Sequence, residues 1–420
     1  MSSFSKLLTR RRFLWLSALT GGTLVLGGCA DESASTESGG GTTFDNAAAP
    51  GDAAADDTAA DGAAAEDYTQ VVADRLKAMT LEQKVAQLFM VAPEALVEDI
   101  SQVTQAGEMT HEGVTRWPVG GIVYFAQNLL EPTQTTDMLA NVKQLYEEDG
   151  NVAPFLGVDE EGGSVVRIAD NEAFGVEDVG DASALGSGGD AAAAKQAAET
   201  LAGYLKPLGF NLDFAPVADV VDPSRSDTMG LRSFSSDPAV AADMVRAEVE
   251  GFESAGLLCC AKHFPGIGAA AGDSHDGSIT IEKTVDELEE VDLVPFQAAI
   301  EAGVPLIMVG HLSLPNVIGD DTPAPLSAKV VQELLRDKLG YQGIVMTDSL
   351  SMGAIADHYN AAEAAVGALQ AGCDMPLMPE NFSEAYQGVL DAVAAEQLTE
   401  ERIDQSVTRI LTAKAKYLGL

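Results

Sequence analysis

The sequence predicts an α/β protein whose folded part, residues 68–420, is a single (β/α)8 barrel of the TIM type. Two observations predict this fold: short continuous apolar runs alternate with helix-length amphipathic stretches, and many of the runs end in polar or ionisable residues. Continuous apolar runs are typical of parallel strands buried on both faces. An open doubly wound sheet gives similar local signals, but polar strand ends favour the barrel, because active sites lie at that face.

Eight apolar runs are the predicted strands, and amphipathic segments between them are the predicted helices. The strands are Gln87–Ala92, Gly121–Phe125, Phe155–Asp159, Leu212–Val217, Leu257–His263, Leu306–His311, Gly343–Asp348 and Cys373–Leu377. The helices are Pro132–Glu148, Asp190–Leu208, Pro238–Ala255, Val285–Ala302, Ser327–Leu339 and Tyr359–Ala371. Eight strand–helix units in about 350 residues lie within the size range of this barrel.

The residues before the barrel are predicted to be an export signal followed by a tether. In residues 1–28, four basic residues precede the apolar run Phe13–Gly28, as in a signal peptide. The segment Thr9–Leu14 resembles a twin-arginine signal, although the choice between the Tat and Sec routes stays open. Residues 29–67 hold ten acidic residues and one aromatic residue, Phe44, a composition that predicts a disordered acidic tether.

Cys29 is the predicted site of lipidation. The sequence Leu26-Gly27-Gly28-Cys29 resembles a lipobox, which would make Cys29 the acylated first residue of a bacterial lipoprotein. We therefore expect an exported protein that is held by a lipid on the outer face of the cell membrane. The alternative is an unmodified thiol in a discarded peptide.

Composition excludes several classes of partner. The chain has 24 Lys and Arg against 65 Asp and Glu, a formal net charge of −41. Such a surface repels phosphate, so nucleic acid is excluded as a partner, and the membrane is reached only through the lipid. The remaining cysteines, Cys259, Cys260 and Cys373, suggest neither a disulfide framework nor a zinc site.

Polar residues at the strand ends predict one polar pocket. They are Asn128, Asp159, Asp219, Lys262, His263, His311 and Asp348. Isolated charges in a core would cost several kcal/mol each, whereas the carboxyl ends of barrel strands converge on one face. One such residue alone could be a buried structural partner, but a set in register indicates a site.

Two segments carry the strongest chemical signals. The first runs from Lys262 through His263-Phe264-Pro265-Gly266-Ile267-Gly268 to Asp273-Ser274-His275, a loop that could carry an Asp and a His over the pocket. A carboxylate beside an imidazole can hold its tautomer. The second is Val345–Gly353, in which a strand ends at Asp348. A carboxylate on a rigid strand suits a nucleophile that must stay near attack distance.

These segments resemble glycoside hydrolase family 3, specifically its single-domain β-N-acetylhexosaminidase branch. The motif KHFPGxG-x4-DSH carries the resemblance, together with a GVD-x-EGG-x-V-x-R segment and an R-S-F segment. The resemblance implies that Asp348 is the nucleophile and that His275 is the general acid/base, oriented by Asp273. It also implies sugar binding by Asp159, Arg167, Arg232, Lys262 and His263. It implies no metal or organic cofactor.

The sequence departs from the family's common pattern at three positions. Ile267 replaces a usual His, Ser164 a frequent Arg, and Ser349, directly after Asp348, a frequent Asp. None of these positions carries a catalytic role implied by the resemblance. We expect Ile267 to loosen the hydrogen bonding of the loop, and Ser164 to alter the region around the sugar.

The implied activity is that of a retaining exo-β-N-acetylglucosaminidase acting on peptidoglycan fragments, including muropeptides, or on related glycans. A histidine in place of a carboxylate as base also suits phosphorolysis, because an incoming phosphate meets less repulsion there. A β-glucosidase is a further alternative. From a different class, the chain could be a glycan-binding lipoprotein without turnover, or a solute-binding component of a transporter, which would fold as two lobes.

Overall fold

The computed structural model describes residues 67–97, 99–222, 224, 228–268 and 279–420. The predicted signal peptide, the tether and Cys29 lie outside these residues. Asp273 and His275 lie outside them too, so the two loop residues of the proposed acid/base pair stay predictions from sequence. Among the helices of the described part, none is both long and apolar enough to cross a membrane.

Eight parallel strands form a closed barrel, as predicted. In chain order the described strands are β1 Met90–Val91, β2 Gly121–Tyr124, β3 Phe155–Val158, β4 Leu212–Asp213, β5 Leu258–Phe264, β6 Ile279–Thr280, β7 Leu306–Val309, β8 Leu312–Ser313, β9 Ile344–Ser349 and β10 Met375–Leu377. Around the barrel the order is β1-β10-β9-β7-β5-β4-β3-β2, and β6 pairs with β8 in a separate two-stranded sheet. Each of the eight predicted runs contributes one barrel strand.

Helices surround the barrel. They are α1 Thr69–Ala78, α2 Leu81–Gln87, α3 Glu108–Arg116, α4 Pro132–Glu148, α5 Ala182–Ser187, α6 Ala191–Leu208, α7 Thr228–Arg232, α8 Pro238–Ala255, α9 Val285–Glu290, α10 Leu293–Glu301, α11 Pro315–Ile318, α12 Gly353–Ala356, α13 Ala361–Ala371, α14 Phe382–Ala394 and α15 Glu400–Leu418. Three 3-10 helices cover Pro93–Leu96, Ala126–Asn128 and Ala324–Leu326, and a π-helix covers Lys329–Lys338.

One predicted helix is two helices. The segment Val285–Ala302 breaks between α9 and α10, where Val291 leaves the helical conformation. Asp292 follows it and is 1% exposed, with its carboxylate paired to the Lys283 ammonium. Pro295 lies in the first turn of α10, where its missing N–H costs nothing, and in an uninterrupted helix it would remove a hydrogen bond. The prediction of one continuous helix was therefore wrong.

Small residues let α6 and α8 pack closely behind the site. A Cβ at Gly251 would lie 2.6 Å from the Lys195 carbonyl oxygen and 2.7 Å from the Ala198 Cβ. Since real Cβ contacts are longer than this, any larger residue at Gly251 would separate the helices. Asp190 caps α6 by accepting from the Ala192 N–H, and Asp237 caps α8 by accepting from the Ala239 N–H. The close packing fixes the inward face of α8 against β5.

A charged cluster closes the amino end of the barrel. Asp374, fully buried just before β10, accepts hydrogen bonds from the side chains of Arg336, Ser406 and Arg409. It also accepts from the Val345 N–H at 3.0 Å. This cluster lies at the end of β9 opposite to Asp348. The cluster therefore holds the chain together at the end of the barrel away from Asp348.

Candidate active site

The carboxyl ends of the strands enclose a cavity of about 350 Å3. It is lined by Val123, Phe125, Asp159, Glu161, Val165, Arg167, Phe214, Met229, Arg232, Lys262, His263, Ile267, Ile279, Met308, Asp348, Ser349, Ser351, Met352, Leu377 and Met378. Of the predicted site residues, Asp273, His275 and Cys29 lie outside the described part of the chain. The other six all line this cavity. Their chemical roles remain predictions.

Asp348 lies at the end of β9 and faces the cavity. Its Oδ1 accepts a hydrogen bond of 2.7 Å from the Ser349 N–H. Burial alone would raise the pKa of this carboxyl group, but the electrostatic effect of His311 and His263, with smaller contributions from Ser349 and Lys262, holds the pKa below its usual value. Asp348 is therefore an ionised carboxylate at neutral pH, fixed on a rigid strand.

A network of charges forms one wall of the cavity. The Lys262 ammonium, 3% exposed, lies 2.9 Å from Asp159 Oδ1 and 2.6 Å from Glu161 Oε1. Arg232 donates to both oxygens of Glu161, with Nε–Oε2 2.7 Å and Nη2–Oε1 2.8 Å. The Arg167 guanidinium lies 3.6 Å from Asp159 Oδ2. Three cations and two carboxylates thus hold each other in place around the cavity.

The charges in this network keep each other ionised. Burial alone would raise the pKa of Glu161, but Arg232 and Lys262 bring it well below the usual range. Burial alone would lower the pKa of Lys262, and the carboxylates of Asp159 and Glu161 raise it instead. Because the side chains are already ordered, their donors and acceptors can meet a polar ligand without a further entropic cost.

Asp219 supports the network from behind. Its Oδ2 lies 2.8 Å from His263 Nδ1, which fixes the imidazole with Nε2 toward Arg232 Nη2 at 3.5 Å. Its Oδ1 accepts a 2.7 Å hydrogen bond from the Ile267 N–H. The side chain of Asp219 is fully buried, so the carboxylate does not reach the cavity. Asp219 therefore links the position of the His263 side chain to the backbone at Ile267.

Glu160 shapes the segment that carries Arg167. One oxygen of this fully buried carboxylate accepts from the N–H groups of Arg167 and Ile168 at 2.6 and 2.8 Å. The other accepts from the Ala169 N–H at 2.8 Å and from the Tyr204 hydroxyl at 2.9 Å. Four donors on one carboxylate fix the course of the chain, so Glu160 positions Arg167 without contacting the cavity.

Three of the seven polar strand ends do not line the cavity, contrary to the prediction of one shared pocket. Asn128 is buried, and its amide donates to Glu94 Oε1 at 2.7 Å and to the Val103 carbonyl at 2.9 Å. His311 is 1% exposed, and its Nε2 lies 2.7 Å from the Ser349 carbonyl oxygen. The third is Asp219. All three find partners behind the cavity wall and support residues that line it.

The three departures from the family pattern have different surroundings. Ile267 is 5% exposed and lines the cavity, and its N–H is held by Asp219, so the expected loosening is absent at this backbone position. Ser349 also lines the cavity, and its Oγ lies 2.9 Å from Ser351 Oγ. Ser164 is exposed and does not line the cavity. The expected effect of Ser164 on the sugar region therefore lacks a direct contact in the described cavity.

Cys259, Cys260 and Cys373 are buried free thiols. Within the described ranges no group of three or more His, Cys, Asp or Glu side chains is arranged to hold a metal ion.

Comparison with known proteins identifies the family. Residues 80–413 match the model of the glycosyl hydrolase family 3 N-terminal domain. β-Hexosaminidase A of Pseudoalteromonas piscicida is 32% identical over 73% of this chain and 54% of its own length. β-Hexosaminidase LpqI of Mycobacterium tuberculosis is 34% identical over 73% of this chain and 78% of its own length.

A solved structure gives the same result. A glycoside hydrolase family 3 β-N-acetylglucosaminidase from Paenibacillus is 37% identical with a TM-score of 0.75, covering 81% of this chain and 63% of that one. The chain therefore belongs to glycosyl hydrolase family 3, and its barrel is a glycoside hydrolase domain of the β-N-acetylhexosaminidase type. It spans about half the length of the Pseudoalteromonas relative.

Two functional residues were absent from the sequence-based set of site residues, Glu161 and Asp219. Glu161 follows Asp159 by two positions, so alternation along an extended chain places both on the same side. That spacing was the available signal for Glu161. Asp219 was recognised as a polar strand end, but its contact with His263 spans 44 residues of sequence and has no local signal.

Proposed function

We propose that this chain is a retaining exo-β-N-acetylglucosaminidase that removes terminal N-acetylglucosamine from peptidoglycan fragments or related glycans. The observation that carries the proposal is the ionised Asp348 carboxylate, fixed on β9 and facing a cavity that is also lined by pre-ordered hydrogen-bond donors and acceptors. Family membership supports the reaction type, and the names of the relatives support the sugar.

In the first step Asp348 attacks the anomeric carbon and forms a glycosyl ester. The bond to the leaving oxygen breaks, and His275, held by Asp273, gives that oxygen its proton. In the second step His275 takes a proton from water, whose oxygen attacks the anomeric carbon and releases Asp348. A histidine suits the acid/base role because an imidazole titrates near pH ~6.5 without special burial.

The network of charges that forms one wall of the cavity is proposed to hold the terminal sugar. Arg167, Arg232 and Lys262 supply fixed donors to sugar hydroxyls, Asp159 supplies an acceptor, and His263 completes the set. Polar groups that would be left unpaired by a wrong sugar discriminate more strongly than apolar contacts. A pocket that surrounds one sugar with such groups favours exo-action on a chain end.

The test is release of p-nitrophenol from its β-N-acetylglucosaminide and from the β-glucoside, with and without phosphate. Wild type, Asp348→Asn, His275→Ala and the surface control Asp243→Asn are compared. We expect N-acetylglucosaminide turnover that is indifferent to phosphate, lost by at least about 1,000-fold in Asp348→Asn and unchanged in Asp243→Asn. Formation of sugar 1-phosphate would reassign the chain as a phosphorylase, and preference for the glucoside would reassign the sugar. Binding of N-acetylglucosamine without turnover of either substrate would indicate a glycan-binding lipoprotein.

We also propose that the enzyme works on the outer face of the membrane, anchored by a lipid on Cys29. The lipobox-like sequence and the basic, apolar leader support this. The test is membrane fractionation of the full chain and its Cys29→Ser variant after labelling with a fatty acid. We expect label and membrane association in the wild type alone. If the wild type and Cys29→Ser are both unlabelled and are found in the soluble fraction in equal amounts, the lipid anchor is contradicted.

A further inference from the structure

A buried carboxyl group on β4 lies behind the network of charges. Asp213 is the last residue of β4, is 0% exposed and is in register with Val158 of β3. Its Oδ1 accepts a 3.0 Å hydrogen bond from the Glu160 N–H. Within the described residues its Oδ2 has no hydrogen-bond partner. Asp213 does not line the candidate active-site cavity, so the reaction proposed above does not use it.

The hydrogen bond to Asp213 holds the chain just after β3 ends. β3 ends at Val158, and the chain leaves the sheet at Asp159. The N–H that Asp213 accepts belongs to the peptide that joins Asp159 to Glu160. A buried backbone N–H needs an acceptor, and beyond the strand a side chain supplies it. The carboxyl group of Asp213 therefore fixes this peptide to β4.

The fixed peptide lies between the two carboxylates that bind Lys262. Asp159 directly precedes Glu160 and Glu161 directly follows it, and the Lys262 ammonium lies 2.9 Å from Asp159 Oδ1 and 2.6 Å from Glu161 Oε1. Because hydrogen bonds weaken steeply beyond their normal length, a shift of about 1 Å in this peptide is enough to break such a contact. The hydrogen bond from Glu160 to Asp213 thus controls where both carboxylates meet Lys262.

We propose that Asp213 is a positioning residue for sugar binding, which holds the peptide between Asp159 and Glu160 and thereby sets the two neighbouring carboxylates against Lys262. The proposal rests on the proposed function, because it assumes that Asp159 and Lys262 hold the sugar. It assigns to Asp213 no contact with substrate.

Asp213 acts as a neutral acceptor. Burial raises the pKa of its carboxyl group well above the usual range; the Glu160 N–H and the charge of Lys262 oppose this, the charges of Glu160 and Asp159 add to it, and burial outweighs the opposing effects. A neutral carboxyl group accepts through its carbonyl oxygen, and the asparagine amide has a carbonyl oxygen in the same place. Asp213→Asn is therefore expected to keep the hydrogen bond from Glu160.

The experiment compares KM and kcat for p-nitrophenyl β-N-acetylglucosaminide among variants on β4, each at a temperature where it is folded. Asp213→Ala removes the acceptor, and Asp213→Leu removes it while filling a similar space. Leu212→Ala, at a fully buried position on the same strand, is the control for lost stability. We expect KM to rise about tenfold in Asp213→Ala and Asp213→Leu, the effect of one lost hydrogen bond to the sugar, with a smaller change in kcat. Asp213→Asn and Leu212→Ala should keep the wild-type KM.

A second readout separates this proposal from the proposed function. Crystal structures of wild type, Asp213→Asn and Asp213→Leu give the distances from Lys262 Nζ to Asp159 Oδ1 and Glu161 Oε1, which needs no substrate. Distances that are kept in Asp213→Asn and lengthened by about 1 Å in Asp213→Leu support the proposal even if the sugar is not hydrolysed.

Three results would overturn the proposal. The first is an Asp213→Leu protein whose two Lys262 distances match the wild type. The second is a KM for Asp213→Asn that rises by tenfold, since the acceptor oxygen would then not be what matters. The third is an equal rise of KM in Leu212→Ala, which would reduce the role of Asp213 to stability of the strand.

Discussion

Replacement of Asp219 by alanine tests how far the site depends on a residue that never touches the cavity. The carboxylate accepts from His263 Nδ1 at 2.8 Å, from the His263 N–H at 3.3 Å and from the Ile267 N–H at 2.7 Å. Its side chain is fully buried, so water does not readily replace it. Asp219→Ala leaves three donors without their acceptor, and frees the imidazole to change tautomer and orientation.

The magnitude follows from these contacts. A buried donor left without a partner costs about 1–3 kcal/mol, and the three donors are neighbours, so their costs are not fully additive. We expect the free energy of unfolding to fall by about 3 kcal/mol. If misplacement of His263 removes one hydrogen bond to the sugar, kcat/KM falls about 10- to 100-fold. Asp219→Asn retains an acceptor oxygen and should lose less of both.

The assay combines urea unfolding with kcat/KM for p-nitrophenyl β-N-acetylglucosaminide at a temperature where each variant is folded. Asp243→Asn, on the exposed side of α8, is the matched control and should match wild type in both. The reasoning is refuted if Asp219→Ala retains wild-type stability and kcat/KM. It is also refuted if stability falls while kcat/KM of the folded fraction is unchanged, since His263 would then need no support.

Three further predictions follow from charge. Asp374→Asn should lower the free energy of unfolding by about 3 kcal/mol in urea titrations. The kcat/KM of the folded protein should stay unchanged, because the charged cluster around Asp374 lies at the end of the barrel opposite to the site. A parallel loss of kcat/KM would contradict this. The pKa of Glu161 is lowered by folding, so its contribution to stability is full above about pH 4.5 and is lost as pH falls toward its folded pKa. Glu161→Gln should therefore be about 3 kcal/mol less stable than wild type at pH 7 and lose less stability on acidification, and parallel unfolding curves from pH 7 to pH 3 would contradict this. With a net charge of −41, the thermal midpoint should rise by about 2–4 °C between 0.1 and 1 M NaCl, and a fall would show that carboxylate repulsion is not limiting.

The barrel could be predicted from the sequence because the patterns that indicate it are local and repeat along the chain. Each strand is a short apolar run, and six of the eight runs end at, or are followed by, a polar or ionisable residue. The error at Val285–Ala302 arose from treating helix length as sufficient evidence of one helix. Pro295 within that segment was the sign that a new helix starts nearby. The burial of Asp292 goes with its pairing to Lys283, nine residues earlier and outside both helices, which a helix-period pattern does not show.

The site was predictable as a set of residues but not as an arrangement. Asp159 and Glu161 line the cavity, whereas Glu160 between them faces backbone amides and the Tyr204 hydroxyl. Alternation along the chain explains this division, although it does not reveal which carboxylate meets Lys262. Pairings such as Lys262 with Asp159, 103 residues apart, are set by barrel closure and not by local sequence.

The most direct test of the central claim is a search for sugar covalently attached to Asp348. The protein is incubated with a fluorinated N-acetylglucosaminyl donor, whose fluorine slows the second step, and its peptides are then mapped by mass spectrometry. We predict one added sugar residue on the peptide that contains Asp348, and none in Asp348→Asn. Turnover of the donor without an adduct, or an adduct on another carboxylate, would contradict the assignment of Asp348 as the nucleophile.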